Sequence, residues 1–341
     1  MRQSLLLILC AVFFVSGCGG GGSGGEAKYQ IAVVPKSVGF NFWTRVKQGA
    51  QAAASELDSV SITWKGTSSE SDVAGQVKIL ESFVNQGVDA IVVAATDSRG
   101  LVSVLESAKK QGITVVTIDS NTEPQVSSSF IATDNRKAAG KAAELIASVT
   151  DSTGKVGLIP YIAGASTSNQ REQGFKQALK QYPNLELVAT RYSNSDYNQA
   201  MTVTEDMLTS HSDLDAIFAA NEPSVLGAAQ AIRSRGKKGE ISLVGFDASP
   251  REIEGVKKGL IHGLIVQSPF RMGYKGVMTA YDAIKGKSVQ KTVDSGSMVV
   301  TNENLQQFQQ QRENPKVQMK AADSSGITPD TAATAAGQPA S

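Results

Sequence analysis

Short runs of β-branched and apolar residues alternate with amphipathic stretches along most of this 341-residue chain, and no other feature constrains its fold as strongly. The run Ile31–Val34 precedes a predicted helix from about Asn41 to Leu57, and Val60–Trp64 precedes one from about Val73 to Gln86. In the second helix the apolar residues recur at every third or fourth position, which indicates one buried face. Continuous apolar strands separated by helices predict a parallel sheet covered on both faces.

The alternation runs through the chain a second time, restarting near Ser129–Ala132. The other predicted strands are Ala90–Ala94, Thr114–Ile118, Lys155–Ile159, Leu185–Ala189, Ala216–Ala219, Ser242–Gly245 and Gly263–Val266. Two series of about five strands predict an α/β protein with two doubly wound parallel-sheet lobes of similar topology. Ligands of such sheets bind beyond the carboxyl ends of the strands, so binding residues are expected there.

The first 27 residues have the pattern of an export signal followed by a tether. Arg2 precedes an apolar stretch from Leu5 to Val15, about half the roughly 20 residues that span a bilayer, so residues 1–17 are predicted to be a cleaved signal peptide. Cys18 follows small residues, which resembles a bacterial lipobox, and the glycine-rich stretch 18–27 suits a flexible tether. We expect an exported protein in the periplasm or at the cell surface, anchored through a lipid on Cys18. An ordinary signal peptide with an incidental cysteine is the alternative.

Composition bears on nucleic-acid binding, on disulfide bonds and on the order of the C-terminal residues. Lysine plus arginine number 33 and aspartate plus glutamate 32, so no basic face for nucleic acid is expected. Cys10 and Cys18 are the only cysteines, so the mature chain has no disulfide and depends on its apolar cores. Residues 313–341 contain few large apolar side chains and are predicted to be a disordered tail. We expect a monomer.

Polar and aromatic side chains collect at the ends of the predicted strands. The candidate binding residues are Lys36, Phe42, Trp43, Asp119, Thr133, Arg171, Asn221, Asp247 and Gln267. A hydroxyl donates one hydrogen bond and accepts two, so carboxylates, amides and cationic groups together suit a polyol, and aromatic rings suit the C–H faces of a sugar. Taken singly, Asp119, Asp247 and Asn221 can each be interpreted as a helix cap. Their recurrence at the ends of different strands favours binding.

The sequence has no recognisable motif for catalysis, for a cofactor or for a metal. The two histidines, His211 and His262, are far apart in sequence and neither has a metal-ligand spacing. No Gly-x-Ser-x-Gly elbow occurs outside the glycine-rich stretch 18–27, and Gly286–Ser288 resembles the end of a phosphate loop whose first glycine is replaced by Tyr281. We therefore predict no enzyme activity, no cofactor and no metal.

A set of short motifs occurs in order along the chain. These motifs are Val33–Ser37, Ile131–Asn135, Arg171–Phe175, Gly245–Asp247 and Val266–Gln267. Together they resemble the periplasmic sugar-binding proteins of ABC importers, of the ribose- and galactose-binding type with a type I periplasmic-binding fold. The resemblance extends from Lys28 to about Phe308, and it implies that the candidate residues other than Lys36 contact the ligand.

The resemblance also implies how the two lobes are joined. Three crossings, near residues 133–134, 267–268 and 294–295, would form the hinge. The first lobe would comprise residues 28–133 plus 268–294, and the second residues 134–267 plus 295–312. Such lobes close on a small neutral monosaccharide or polyol, and the closed form is presented to the permease subunits of the importer.

Some residues depart from the ribose-binding pattern. Phe40 and Ala94 stand where that pattern usually has asparagines, and Ser195 replaces an aromatic residue. Lys36 looks like the lysine of autoinducer-2-binding proteins, which the first lobe also resembles through Phe83–Gly87. Ribose is therefore not singled out as the ligand. The alternative function is a receptor that senses an autoinducer-2-like furanose, or a sugar, for a signalling partner.

Charge helps to choose the class of ligand. Lys36 and Arg171 balance Asp119 and Asp247, and a buried site does not easily hold uncompensated charge, so a neutral ligand is expected. The sequence leaves open whether Glu222 faces the cleft, where it would change this balance. A sugar acid paired with Lys36 is the alternative.

Overall fold

The computed structural model describes residues 28–313. The first elements are β1 (Tyr29–Val34), α1 (Asn41–Ser55), β2 (Val60–Trp64), α2 (Val73–Gln86), β3 (Ala90–Val93), α3 (Val102–Lys110), β4 (Thr114–Ile118) and β5 (Ser129–Ala132). Next come α4 (Asn135–Val149), β6 (Gly154–Ile159), α5 (Ser166–Leu179), β7 (Leu185–Thr190), α6 (Tyr197–Ser210), β8 (Leu214–Ala219), α7 (Glu222–Ser234), β9 (Ser242–Phe246), α8 (Pro250–Lys257) and β10 (Gly263–Gln267). The last are α9 (Pro269–Ile284), β11 (Thr292–Asp294), β12 (Ser297–Val300) and α10 (Leu305–Glu313).

The predicted signal peptide, the tether and nearly all of the predicted tail lie outside the described residues. Within residues 28–313, no helix has both the length and the apolar character needed to cross a membrane.

The first sheet has the strand order β11-β5-β4-β3-β1-β2, and all neighbouring strands in it are parallel. From Ile31 to Val34, successive side chains of β1 point to opposite faces of the sheet and are buried on both. Ile31 and Val33 pack with α1 and α9, whereas Ala32 and Val34 pack with α2 and α3. This two-sided burial explains why the strand is an uninterrupted apolar run.

The second sheet repeats the same spatial order as β12-β10-β9-β8-β6-β7. It is covered by α4 and α5 on one face and by α6, α7, α8 and α10 on the other. Its edge differs from the prediction of an all-parallel sheet, because β12 runs antiparallel to β10. The edge strands β11 and β12 were not predicted, since each is a short segment without a buried apolar run.

The chain passes from one sheet to the other at three points: after β5, after β10 and between β11 and β12. At the third point Gly296 has a φ of 81°, a left-handed conformation that glycine adopts without steric cost. The hydroxyl of Thr133, in the first passage, lies 3.3 Å from the Ser295 Oγ and donates to the Gly296 carbonyl at 3.2 Å in the third. The first and third passages are therefore hydrogen-bonded to one another.

Candidate ligand-binding cleft

The carboxyl ends of the two sheets face one another across a cleft, and thirteen residues from both lobes line the space between them. They are Lys36, Phe40, Phe42, Trp43, Glu70, Asp119, Tyr161, Arg171, Asn221, Glu222, Pro223, Asp247 and Gln267. Eight of the nine predicted binding residues belong to this set. Thr133 is the exception, because its side chain is engaged with the third passage between the lobes.

The lobes are closed on one another. The space left within the cleft is about 20 Å³, little more than one water molecule needs. Lys36 Nζ donates to the Thr167 Oγ1 at 3.0 Å across the cleft, and the Ser195 hydroxyl donates to the Glu70 Oε2 at 2.6 Å. The cleft side chains thus satisfy one another, and a ligand would take over part of these bonds.

Lys36 follows β1 and is paired with the carboxylate that follows β4. Its Nζ lies 2.8 Å from the Asp119 Oδ2, and both side chains are almost fully buried. Burial by itself lowers the pKa of Lys36, but the charge of Asp119, with smaller contributions from Tyr161 and Glu70, outweighs it and leaves the pKa raised. Lys36 is therefore a fixed positive charge inside the cleft.

Asp119 and Asp247 stand at equivalent positions, one residue beyond β4 and β9. Both have a left-handed backbone, with φ values of 58° and 82°. In each case the backbone N–H donates at 2.9 Å to the neighbouring strand, at Ile131 and at Ile265. Neither carboxylate caps the helix that follows it in sequence, because Asp134 caps α4 and Ser249 caps α8. The helix-cap interpretation therefore fails for both.

Asn221 has both of the roles considered for it. Its Oδ1 caps α7 by accepting from the Ser224 N–H at 3.2 Å, while its Nδ2 donates to the Ser195 Oγ at 2.7 Å inside the cleft. Both carboxylate oxygens of Asp247 accept hydrogen bonds: Oδ1 accepts from the Gln267 side chain, and Oδ2 accepts from the Glu222 N–H. These bonds fix the amide and carboxylate groups before any ligand arrives.

Arg171 is held from three directions. Its Nε donates to the Asn135 Oδ1 at 2.8 Å and its Nη1 to the Ala220 carbonyl at 2.7 Å. The guanidinium also lies 3.7 Å from the centre of the Phe246 ring, a cation–π contact. The Arg171 side chain is buried, so these contacts fix its position within the protein.

Five cleft residues were not among the predicted binding residues: Phe40, Glu70, Tyr161, Glu222 and Pro223. Glu70 and Tyr161 follow β2 and β6, so the strand-end rule would have found both had it been applied to those strands. Glu70 accepts from the Trp43 Nε1 at 2.7 Å as well as from Ser195, and burial raises its pKa. The open question about Glu222 is answered, since it lines the cleft.

The predicted balance of charge requires a correction. Glu70 and Glu222 bring two carboxylates beyond Asp119 and Asp247, against the two cations Lys36 and Arg171. Burial is the main cause that raises the pKa of Glu70, of Asp247 and of Glu222, the last to about 7. The cleft therefore carries four acidic groups against two cations, and burial favours the neutral form of three of these acidic groups.

No group of three potential ligands within residues 28–313 is arranged to hold a metal ion.

The protein has two similar lobes, three crossings of the chain between them and a buried polar cleft, and these features define a bilobed solute-binding protein. The chain belongs to the periplasmic binding protein family, because the family described as "Periplasmic binding protein domain" matches residues 31–288. Its sequence is 31% identical over 278 residues to the D-ribose/D-allose-binding protein of Pseudomonas aeruginosa, covering 78% of this chain and 86% of that protein. It is 29% identical over 273 residues to the ribose import binding protein of Bacillus subtilis, covering 80% and 87%.

Solved structures agree with this assignment. An ABC transporter solute-binding protein from Agrobacterium vitis with bound D-fucose superposes with a TM-score of 0.79 at 37% identity, covering 81% of this chain and 96% of that chain. A carbohydrate transporter solute-binding protein from Agrobacterium radiobacter in complex with D-arabinose superposes with a TM-score of 0.80 at 30% identity, covering 87% and 99%. The type I periplasmic-binding fold expected from the sequence is thereby confirmed.

Proposed function

We propose that this protein is the substrate-binding component of an ABC-type sugar importer and captures a small neutral monosaccharide or polyol between its lobes. The observation that carries the proposal is the cleft, where buried donors and acceptors from both lobes converge on one enclosed space. The relatives support the proposal. Two are named as binding proteins for ribose or allose, and the two solved structures contain D-fucose and D-arabinose. An exported location and a permease partner follow from the same kinship.

The polar groups of the cleft suit hydroxyls in both directions. Asp119 and Asp247 can accept hydroxyl protons, whereas Arg171 and Asn221 can donate to hydroxyl oxygens. The buried Oε1 of Gln267 has no hydrogen-bond partner among the described residues, so it is an acceptor that a hydroxyl donor would satisfy. Half-buried Phe42 adds an aromatic ring at the edge of this space.

A neutral ligand suits the charges better than a sugar acid. Lys36, the obvious partner for an acid, already has Asp119 at 2.8 Å. Another carboxylate would join a cleft that holds more acidic groups than cations, at short range and with little water to screen it. The ligand favours the closed form because both lobes contact it only there.

A thermal-shift screen of the purified protein tests this function. The panel contains ribose, allose, arabinose, fucose, tagatose and xylitol, with a matched sugar acid for each aldose. A ligand that binds only the native state raises the melting temperature, by an amount that grows with its concentration above Kd. We expect a shift with at least one neutral member, and the sugar recovered afterwards to be unchanged. A shift only with a sugar acid, or turnover of the sugar, would contradict the proposal.

One observation supports the alternative function, a receptor that senses a furanose: Lys36 is buried and lines the cleft. An autoinducer-2-like furanose therefore belongs in the same panel. A shift with that furanose and with no simple sugar would favour a receptor for a signalling partner.

Membrane attachment through Cys18 is also part of the proposal, supported by the small residues before that cysteine. Labelled palmitate should enter the wild-type protein in cells and not C18A. Equal labelling of the two would contradict the anchor.

A further inference from the structure

We propose that Glu222 is a positioning residue that caps helix α1 from the opposite lobe and so stabilises the closed cleft; this inference rests on the proposed function. α1 carries Phe42 and Trp43 in its first turn, and both line the cleft. α1 belongs to the first sheet's lobe, whereas Glu222 begins α7 in the second.

The start of α1 lacks a cap of its own. The residue before it, Phe40, offers no side-chain acceptor, yet the first N–H groups of a helix have no partner within the helix. The Glu222 carboxylate takes this place. Its Oε2 accepts from the Phe42 N–H at 3.1 Å, and its Oε1 lies 3.4 Å from the Asn41 nitrogen. A carboxylate is also the favoured group at the positive end of a helix.

A continuous set of hydrogen bonds joins this cap to the predicted ligand residues. Gln267 donates to the Asp247 Oδ1 at 2.8 Å, and the Glu222 N–H donates to the Asp247 Oδ2 at 3.0 Å. The carboxylate of Glu222 then reaches α1. Because these last bonds cross the cleft, they exist only when the lobes are closed. A ligand held by Asp247 and Gln267 would thus be linked through Glu222 to the helix that presents the aromatic residues.

Other charged groups surround Glu222 and decide its response to pH. Asp247 and Glu70 face it in the cleft, Glu252 approaches it from α8, and Arg45, Arg271 and Arg312 line the adjoining cavity of about 260 Å³. Burial, then the charge of Asp247, raises the pKa of Glu222 to about 7 against the bonds from Phe42 and Asn41. Opening exposes the carboxyl to water and returns its pKa toward the ordinary value of 4.5.

The sign of the pH effect follows from this difference. The closed form has the higher pKa and binds more protons, so closure is favoured as pH falls from about 7 toward 4.5. Closure is weakened as pH rises through 7. Protonated Glu222 still offers a carbonyl oxygen to the Phe42 N–H, so the cap survives proton uptake.

Two substitutions separate the cap from the charge. E222A leaves the α1 N–H groups without their acceptor and should weaken sugar affinity by about tenfold at pH 6 and increase the radius of gyration of the ligand-free protein. E222Q keeps an amide oxygen and should bind like the wild type at pH 6. Between pH 6 and pH 8 the wild type should lose about tenfold more affinity than E222Q, because only the wild type has the titrating group at this position. E254Q, an exposed carboxylate on α8 of the same lobe, is the control.

Calorimetric titration with the sugar found in the screen and small-angle X-ray scattering measure these quantities. Wild-type affinity and scattering in E222A, or E222Q as weak as E222A, would overturn the role of Glu222. If no sugar binds the wild type, the proposed function fails, and the scattering comparison of ligand-free E222A, E222Q and wild type still decides whether Glu222 holds the lobes together.

Discussion

Side chains that follow equivalent strands of the two lobes contact one another across the cleft. Glu70 follows β2 and Ser195 follows β7, which occupy the same edge of their sheets, and these two side chains are hydrogen-bonded. Lys36 and Tyr161 follow β1 and β6, the next strands inward, and the lysine nitrogen lies 5.9 Å from the ring centre. The repeated topology therefore brings chemically different residues from matching places into contact.

Glu70 gives a prediction at the residue scale. Its carboxylate should disfavour anionic ligands, so E70Q should bind a sugar acid about tenfold more tightly than the wild type at pH 8, where Glu70 is most fully ionised. Affinity for the matched neutral sugar should change much less, because the amide oxygen can still accept from Trp43 or Ser195. Titration calorimetry with a sugar and its acid measures the ratio. An unchanged ratio would exclude Glu70 as a determinant of ligand charge.

At the scale of elements, helices α1 and α9 approach closely enough to exclude a methyl group at their contact. A Cβ added at Gly273 would collide with the Val46 carbonyl, and one added at Gly49 with the Phe270 carbonyl. These glycines therefore fix the distance at which α9, after returning from the second lobe, packs beside α1. The sequence alone shows glycines in amphipathic helices but not that they face one another.

The contact predicts opposite effects for two glycine substitutions. G273A should lower the free energy of unfolding by about 1–3 kcal/mol because the helices must separate. G140A, in the interior of α4, would place its methyl 3.7 Å from the Ala178 Cβ, an ordinary contact, and should raise the free energy of unfolding by up to about 1 kcal/mol. Urea unfolding followed by circular dichroism measures both. Equal effects of the two substitutions would refute the close packing.

At the scale of the whole molecule, closure brings serine side chains of opposite lobes into contact. The Ser120 Oγ, just beyond β4, lies 3.1 Å from the Ser166 Oγ, at the start of α5. In a C18A background, S120C/S166C should form a disulfide on oxidation and hold the lobes closed. Bound sugar should then dissociate at least about tenfold more slowly, because release requires opening. Reduction should restore the wild-type rate, and neither single-cysteine variant should change it. Fast release from the oxidised pair would contradict a closed state that encloses the ligand.

The sequence by itself determined the lobes, because a strand buried on both faces must be a continuous apolar run and a covering helix must be amphipathic. The ordered motifs added the family, and the strand-end rule added eight residues of the cleft. Thr133 lies just after β5, where the chain leaves the first sheet, and its hydroxyl contacts Ser295 and Gly296 rather than the cleft. That distinction depends on how two distant segments meet.

Only the tertiary structure decided the charge of the cleft and the contacts across it. Glu70 and Glu222 lie 152 positions apart in sequence, and nothing in either local pattern reveals that both are buried against the same space. The short edge strands β11 and β12 could not be predicted for a related reason. Each forms by pairing with a strand from elsewhere in the chain, β5 for β11 and β10 for β12. Burial, pKa and cross-lobe capping are properties of several segments at once, whereas periodicity is a property of one.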